Sequence, residues 1–190
     1  MERKHMAAIR FFTEADAEVI QAIYCQAFVG FPWFEQLSAA EVEGRWQSKR
    51  NQAGFNCLVT AEGSKIVGAM YWSEPTAQNL ADRYEKELAG FVAENGVGRR
   101  LIYIGVTVVA PEFQGQGIAT ALRRRFLEHL QAENRDTLVI TRMRDDNLPS
   151  IRPWEKLGMK RSGITMPSSQ KTGVNHEFWF LVLNQEEVRS

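Results

Sequence analysis

The sequence contains little cysteine, no excess of charge of either sign and no long apolar run. Its two thiols, Cys25 and Cys57, lie in apolar patterns without a His or Cys at metal-ligand spacing. This argues against a thiol nucleophile and a metal site, and it predicts a reduced, cytoplasmic protein. The 23 basic residues balance the 23 acidic ones, so we expect no nucleic-acid partner. Because no apolar run is long enough for a bilayer, we expect no membrane span.

The length of 190 residues is enough for one domain with a full core. With 44% hydrophobic and 24% charged residues, the composition is that of an ordinary folded protein. Apolar spacing and turn residues predict strands at 7–12, 55–61, 65–73, 101–109, 137–142, 158–164 and 175–183. They predict helices at 14–28, 77–94 and 119–133, and one more after Ser38. Thr13 and Ser38 are predicted N-caps, and Glu41 completes a capping box with Ser38.

The most informative stretch is the hexapeptide QGQGIA at residues 114–119. It follows a predicted buried strand, which Ala110 and Pro111 end, and it precedes a helix whose apolar residues recur four apart. Such a loop directs free backbone N–H groups and the positive end of a helix dipole at one point, which suits a phosphate. The alternative is a tight turn that needs small residues. The loop matches neither a Walker A loop nor the three-glycine dinucleotide fingerprint.

A second segment, NLPSIRPWEKLGMKRSG, occupies residues 147–163. Together the two segments resemble those of the GNAT acetyltransferase superfamily, in which a Gln/Arg-x-x-Gly-x-Gly/Ala loop is followed by an Asn, a short helix and an aromatic-x-x-x-Gly-Phe-like ending. The matching residues are Gln114, Gly117, Ala119, Asn147, Trp154, Gly158 and Met159. The resemblance implies an α/β fold with a mixed, mostly antiparallel central sheet and helices on both faces. It implies a single domain, 1–190, with a helical insertion around 75–97.

The resemblance also implies transfer of an acetyl group from acetyl-CoA to an amine of a small molecule or peptide. The pyrophosphate would bind the N–H groups of Gln114, Gly115, Gln116, Gly117, Ile118 and Ala119. The pantetheine arm would bind the backbone of Val108 and Val109 beside Val106, and Asn147 would be a further contact. Within the run Arg123–Arg125, the first two side chains lie off the predicted apolar stripe. They form either a solvated face or a contact to the 3′-phosphate of CoA.

Trp154 departs from the resemblance, because most members have a Tyr that is thought to protonate the leaving thiolate. An indole N–H is a donor only, so Trp154 either donates a hydrogen bond to the sulfur or packs under the cofactor. Thiolate departure is only mildly unfavourable, since a thiol pKa is about 8.5, whereas an amine of pKa about 10.4 calls for a base. Candidates are Glu74, Tyr103, Glu35 and His176, each with a structural role as the alternative. With no activated nucleophile evident, we expect direct attack without an acyl-enzyme.

Pro153 predicts that the short helix is capped at Ser150, which places the proline in the first turn. The acceptor is expected at the aromatic segment Phe28–Phe34, with Trp72 nearby, where an apolar wall favours a small molecule with an apolar body. Core packing or the contact of a homodimer is the alternative for that segment. Three other functions stay open: an acyl-CoA-binding protein without transferase activity, a transferase for a longer acyl group or an oxygen acceptor, and a nucleotide-binding module.

Overall fold

The computed structural model of the protein describes residues 8–30, 33–84, 86–168 and 171–185. Its strands are β1 (Ala8–Phe11), β2 (Asn56–Glu62), β3 (Lys65–Ser73), β4 (Arg100–Val109), β5 (Thr137–Arg144), β6 (Lys160–Pro167) and β7 (Asn175–Leu183). Its helices are α1 (Ala17–Val29), α2 (Ala39–Arg50), α3 (Ala77–Arg83), α4 (Lys86–Asn95), α5 (Ile118–Ala132) and α6 (Leu148–Lys156). Four residues within predicted segments, Ala7, Phe31, Pro32 and Glu85, lie outside the described residues.

The strands form a sheet in the order β1-β2-β3-β4-β5-β7-β6. Antiparallel pairing joins β1 to β2 and joins β7 to both β5 and β6. In contrast, β4 and β5 run parallel, from Arg100 opposite Thr137 to Ile104 opposite Thr141. A parallel pair needs a crossover, and α5 supplies it. The predicted α/β class with a mixed, mostly antiparallel sheet is therefore confirmed.

The chain divides into two compact units, and the first comprises Met1–Tyr71 and Val106–Phe126. Its core joins residues of α1, α2, β2, β3 and β4, among them Ile20, Ile23, Trp46, Val59, Tyr71 and Val108. Aromatic rings meet edge to face there, with the ring centroids of Trp46 and Tyr71 6.0 Å apart. This packing is what fixes the end of β4, because Val108 is itself a core residue.

The second unit comprises Trp72–Gly105 and Leu127–Ser190. Here α3 and α4 place Leu80, Leu88 and Val92 against the sheet, where Tyr103, Leu138, Ile140 and Phe178 are buried. The segment 77–94, predicted to be helical, contains two helices. The backbone of Tyr84 is extended (φ −128°, ψ 179°) and ends α3. The Tyr84 ring then packs on the core, 5.2 Å from the ring of Phe178.

The start of α2 follows the predicted capping chemistry, whereas the N-cap of α1 is Asp16 and not the predicted Thr13. The Ser38 Oγ accepts from the N–H of Glu41 at 3.3 Å, and the Glu41 carboxylate accepts from the N–H of Ser38 at 2.8 Å. After Thr13, a single 3-10 turn precedes α1, and the Asp16 carboxylate accepts from the N–H of Thr13 at 2.7 Å. In the described part of the chain, no helix is long and apolar enough to span a membrane.

Candidate functional site

The junction between β4 and α5 contains the predicted phosphate-binding loop. After β4, the N–H of Ala110 donates to the carbonyl of Val67 at 2.8 Å, and Pro111–Phe113 form one 3-10 turn. The N–H of Ala121 donates to the carbonyl of Gly117 at 2.9 Å and so opens the hydrogen-bond ladder of α5. The N–H groups of residues 118–120 precede that bond, and the geometry of a helix gives them no acceptor within it.

Gly115 and Gly117 have backbone conformations that other residues rarely adopt. Their φ angles are 75° and 85°, in the left-handed region where a Cβ is strained. A Cβ at either position would meet no heavy atom within 4 Å. The glycines are thus required by the backbone rather than by crowding, and the space above the loop is open. A row of N–H donors beneath open space fits the oxygens of a phosphate.

Side chains from both ends of the loop hold it to the strand. The Gln114 side-chain amide donates to the carbonyl of Val109 at 3.1 Å, and that of Gln116 donates to the carbonyl of Glu112 at 3.3 Å. Lys65 pairs with Glu112 at 2.9 Å, although both side chains are largely exposed, so this pair contributes little. Gln114 therefore positions the loop, and one lone pair of the Val109 carbonyl is already engaged.

A close backbone approach at Gly68 sets the separation between β3 and the end of β4. A Cβ at Gly68 would lie 3.0 Å from the carbonyl oxygen of Val108 and 3.3 Å from Cγ2 of Ile118. Both distances are tighter than ordinary carbon contacts. Gly68 thus lets the strand end and the first residue of α5 pack together. A glycine inside a predicted strand is the sequence signal for such an approach.

The arginine run at the start of α5 is not uniformly solvated. Arg123 is only 3% exposed, and burial lowers its pKa to about 10. The prediction that Arg123 lies on a solvated face is wrong. The buried face of α5 is wider than the apolar residues spaced four apart indicated. Leu127, one turn after Arg123, is buried as well. Arg124 and Arg125 are exposed, as predicted for that face.

The second predicted segment forms α6 and the turn after it. Trp154 is 2% exposed, and its carbonyl accepts from the N–H groups of Leu157 and Met159, each at 3.0 Å. Asn147 is the N-cap residue, and its carbonyl accepts from Ser150 and Ile151 at 2.9 and 3.0 Å. These bonds start the helix at Leu148, so the prediction of a start at Ser150 is wrong.

The interior position of Pro153 has a physical reason. The first turn of α6 forms before the proline is reached, since the N–H groups of its leading residues need no helical acceptor and Pro149 has none. Pro153 then removes one bond from a helix of nine residues. The Asn147 side chain makes no capping bond to the backbone, so its amide is not used to start the helix.

Glu74, a predicted base, belongs to an ion-pair network around the largely buried side chain of Arg100. Arg100 binds the carboxylates of Glu74 and Glu133, and the Arg100 side chain is 7% exposed. The hydrogen bond from Arg100 is the main reason that the pKa of Glu74 is lowered. This environment stabilises the charged carboxylate and so favours a structural role for Glu74.

Tyr103, another predicted base, lies in the core of the second unit. It is 7% exposed, and its hydroxyl is 2.7 Å from the hydroxyl of Tyr84. Burial raises the pKa of Tyr103 well above its usual value, and the neighbouring Tyr84 adds to the rise. A phenol of this kind stays protonated at neutral pH, so it is better suited to donate a hydrogen bond than to accept a proton.

The aromatic segment after α1 forms a stack in the first unit. The ring centroids of Tyr24 and Phe28 are 4.1 Å apart, and those of Phe28 and Trp33 are 5.1 Å apart. Beside them, Arg45 pairs with Glu35 at 2.7 Å. Glu35, a further candidate base, therefore has a cation as its partner. Phe34 is 65% exposed, with a φ of 52°.

The last candidate base, His176, and the aromatic Trp72 belong to the second unit. Burial lowers the pKa of His176 to about 4, and the positive charges of Arg142 and Arg144 act in the same direction. Trp72 is fully buried, with its ring centroid 5.9 Å from that of His129. His176 is therefore neutral at physiological pH, the form of an imidazole that can accept a proton.

A shallow cavity of about 220 Å³ contains none of the predicted site residues; its lining includes Leu130, Arg135 and Leu183. Within the described ranges, no group of three or more His, Cys, Asp or Glu side chains could hold a metal ion.

The structure distributes the predicted residues over the two units. Val108, Val109 and residues 114–119 form one continuous segment of the first unit. Asn147 and Trp154 share α6 or its cap in the second unit, whereas Glu74 and Tyr103 have different partners there. Sequence reasoning missed Gly68 and Arg142. The signal for Arg142 was available, since it lies in phase with Leu138 and Ile140 on the same strand.

Comparison with known proteins gives the same family as the two motifs. The family model described as acetyltransferase (GNAT) family matches residues 19–159. A search of curated proteins found no match.

Solved structures share the fold at low sequence identity. A putative acetyltransferase from Salmonella typhimurium, solved with its cofactor acetyl-CoA, is 19% identical, with a TM-score of 0.66 over 94% of this chain and 95% of that one. A phosphinothricin acetyltransferase from Sinorhizobium meliloti, in complex with AcCoA, is 21% identical, with a TM-score of 0.66 over 94% and 89%. The ribosomal-protein-S18-alanine N-acetyltransferase from Escherichia coli is 13% identical, with a TM-score of 0.66 over 94% and 95%. At these identities the likeness is one of fold.

Proposed function

The chain belongs to the GNAT acetyltransferase family, and from that premise we propose that it is an acetyl-CoA-dependent N-acetyltransferase acting on an amine of a small molecule or peptide. The observation that carries the proposal is the loop at the start of α5. Two glycines with positive φ and open space above them lie beside the free N–H groups of a helix N-terminus. The free N–H groups, and glycines around which no heavy atom lies within 4 Å of an added Cβ, support a pyrophosphate as the ligand. The two fold relatives solved with acetyl-CoA support the choice of ligand.

On the donor side, the residues that would hold acetyl-CoA are those of the loop and the strand end before it. The backbone of Gln114, Gly115, Gln116, Gly117, Ile118 and Ala119 would bind the pyrophosphate, and that of Val108 and Val109 would bind the pantetheine arm. Asn147 is a further proposed contact, since its side-chain amide is not used as a helix cap. Acetyl-CoA is the acyl donor and is consumed, so it is a substrate rather than a resident cofactor.

The proposed reaction is a direct transfer. The neutral amine nitrogen attacks the thioester carbonyl carbon and loses one proton as the N–C bond forms, the C–S bond breaks, and the CoA thiolate leaves and takes up a proton. Making a lysine-like amine neutral at pH 7 to 8 costs about 3–5 kcal/mol, whereas thiolate departure costs about 2 kcal/mol. Deprotonation of the amine is therefore the step that most needs a base. Both Cys residues are free, and burial raises the pKa of Cys57 to about 12, which supports a route without a thiol acyl-enzyme.

Trp154, Glu74 and Tyr103 are the proposed catalytic residues, and their surroundings rank them. Trp154 retains both proposed roles, as a donor to the leaving sulfur and as a packing surface. Glu74 and Tyr103 fit less well as bases, because one is paired with Arg100 and the other is a buried phenol of raised pKa. His176 is neutral at physiological pH, and because its pKa is lowered to about 4 it is also a weak base, so it is not favoured over the other candidates.

On the acceptor side, the stack of Tyr24, Phe28 and Trp33 supports a substrate with an apolar body. Two fold relatives, an alanine N-acetyltransferase and a phosphinothricin acetyltransferase, support an amine as the acceptor. We further propose a cytoplasmic protein, consistent with two free thiols, that could associate as a homodimer through the same aromatic segment.

The test is a thermal-shift titration with acetyl-CoA, CoA, ATP and NAD. A ligand at a hundred times its dissociation constant stabilises the native state by about 2.7 kcal/mol, which is easily seen. We expect a rise with acetyl-CoA and CoA only. Gly117→Ala should raise the dissociation constant of acetyl-CoA at least about tenfold. Gly63→Ala, which also has a positive φ (60°) and open space but lies in a hairpin turn, should leave it unchanged. Equal effects of the two substitutions, or no shift with acetyl-CoA, would refute the proposed site.

A protein that binds acyl-CoA without transferring the acyl group is the second candidate, favoured by the Trp at position 154. Release of free thiol from acetyl-CoA in the presence of any amine of a screened panel excludes it.

A further inference from the structure

Arg142 is a charged residue in an apolar pattern. On β5 the alternation of side chains places it on the same face as Leu138 and Ile140, which belong to the core of the second unit. Its guanidinium lies 5.3 Å above the centre of the Tyr84 ring, and Nη1 is 3.9 Å from the sulfur of Met166. Its charge also acts on Tyr103 and His176. We name these five residues, Tyr84, Tyr103, Arg142, Met166 and His176, the Arg142 cluster.

The charge of Arg142 has no counterion in the described ranges of the chain. Its neighbour Arg144 is bound by both oxygens of Asp146, at 3.0 and 2.8 Å, and Lys171 approaches the same carboxylate. Asp145 accepts from the backbone N–H of Asn175 at 3.1 Å. The nearby carboxylates are thus engaged elsewhere. The guanidinium of Arg142 is partly exposed, so it can be reached by an anion from solution.

The rest of the cluster adds a donor and no negative charge. The hydroxyls of Tyr84 and Tyr103 share one hydrogen bond of 2.7 Å, and each hydroxyl carries one proton. One O–H proton of the pair therefore remains to be donated. His176 is neutral at physiological pH, so the net charge of the cluster is the single positive charge of Arg142. A planar guanidinium beside a hydroxyl donor and aromatic rings matches a carboxylate on an apolar body.

We propose that the Arg142 cluster binds the carboxylate of the acceptor, so that the amine acetylated by this protein also carries an acidic group. The inference rests on the proposed function, because it takes the carboxylate ligand to be the acceptor of the acetyl group. The carboxylate site itself can be tested without any transfer reaction. It assigns Arg142 a role in substrate specificity and leaves the chemistry of the amine to other residues.

The test is direct binding to the full chain with pairs of ligands that differ in one group. Phenylacetate, L-phenylalanine and L-methionine are compared with their carboxamides by thermal shift and calorimetry, with inorganic phosphate alongside. We expect at least one carboxylate to bind about tenfold or more tighter than its amide, the difference typical of a charged hydrogen bond. Arg142→Met should abolish that difference. Arg161→Met is the matched control, since Arg161 also stacks on a ring, that of Trp179 at 4.9 Å, but is paired with Glu177.

Four results would overturn the inference: no carboxylate binds, every amide binds as well as its acid, Arg142→Met keeps the preference, or phosphate binds more tightly than every carboxylate. If the Met variant does not fold, Arg142→Lys replaces it in the test. This variant keeps the positive charge but loses the paired N–H donors of the guanidinium, so it should lose most of the preference for the carboxylate. Acetyl-CoA is titrated into the same samples. If acetyl-CoA fails to bind, the proposed function fails whatever the carboxylates do, and if only the carboxylates fail, the acceptor class alone is wrong.

Discussion

Glu74 shows, at the scale of a single residue, how a partner limits chemistry. Its carboxylate is bound by Arg100, which also holds Glu133, and the Arg100 side chain is 7% exposed. To accept a proton, Glu74 would have to lose part of its attraction to Arg100. The network therefore makes it a poor base and a good structural anchor, and the two roles give different results on substitution.

Glu74→Gln should lower the free energy of unfolding by about 1–2 kcal/mol and leave the rate of acetyl transfer within about twofold. The amide keeps the shape and removes the charge, while Arg100 retains Glu133. Glu133→Gln is the matched control, because it removes the other partner of the same arginine. Urea denaturation and steady-state rates measure both effects. A general base contributes about 10²–10⁴ in rate, so a loss of that size in the Glu74 variant alone would identify the base.

Substitutions of Trp154 test whether its indole takes the role of the tyrosine phenol that the resemblance implies at this position. Trp154→Phe keeps a ring and removes the N–H, so we expect kcat to fall about five- to tenfold, the worth of one hydrogen bond, with the KM for acetyl-CoA unchanged. Trp154→Tyr should restore or exceed the original kcat. Trp179→Phe, at another buried Trp of the same unit, controls for lost packing. An unchanged kcat in Trp154→Phe would leave packing as the role of the indole.

Single residues also show where sequence reasoning stops. Glycines in a loop and a proline at the end of a strand are local signals. The turn at Gly115 and Gly117 and the end of the strand before Pro111 could therefore be predicted from the sequence. The burial of Arg123 depends on how wide an arc of α5 is covered, which the spacing of Leu122 and Phe126 does not determine. Likewise, the pairing of Glu74 with Arg100 joins residues distant in sequence, and no local pattern contains it.

At the scale of elements, capping was predictable and competition between signals was not. Ser38 and Glu41 satisfy each other within four residues, so the start of α2 follows from sequence. In α6 two signals conflict: Asn147 offers a carbonyl to the first turn, whereas Pro153 argues for a later start. The bonds from Ser150 and Ile151 to Asn147 prevail. The break between α3 and α4 has no Gly or Pro to mark it, and it arises where Tyr84 turns onto the core.

Gly68→Ala is a prediction about the fit between two elements. The new Cβ would lie 3.0 Å from the carbonyl of Val108, so we expect a loss of about 1–3 kcal/mol in unfolding free energy. Because the strand end is part of the proposed acetyl-CoA site, the KM for acetyl-CoA should rise as well. Gly44→Ala, in α2 with nothing within 4 Å, should instead stabilise by about 0.5–1 kcal/mol. If melting curves show that both substitutions stabilise the protein, or that both destabilise it, this account of Gly68 is wrong.

At the scale of the whole molecule, stability should depend on pH through two separate groups. His176 is buried as the neutral imidazole, with its pKa lowered to about 4. Asp16 is 5% exposed and bound by Arg10, with two contacts of 2.7 Å that hold its pKa at about 2. In both cases the unfolded chain binds protons at a higher pH than the folded one. Stability is therefore lost as the pH falls, first through His176 and then through Asp16.

The two pH windows can be separated by substitution. Between pH 7 and pH 5, protonation of His176 in the unfolded chain should cost about 2 kcal/mol, and between pH 5 and pH 3 the same process at Asp16 should cost about 1 kcal/mol. His176→Gln should flatten the first window and part of the second, since the folded-state pKa of about 4 lies inside the second, whereas Asp16→Asn should flatten the second only. Each variant thus serves as the control for the other, with urea denaturation at pH 7, 5 and 3 as the measurement. If His176→Gln leaves the first window unchanged, the imidazole is solvated in the folded protein and its pKa is not lowered by burial.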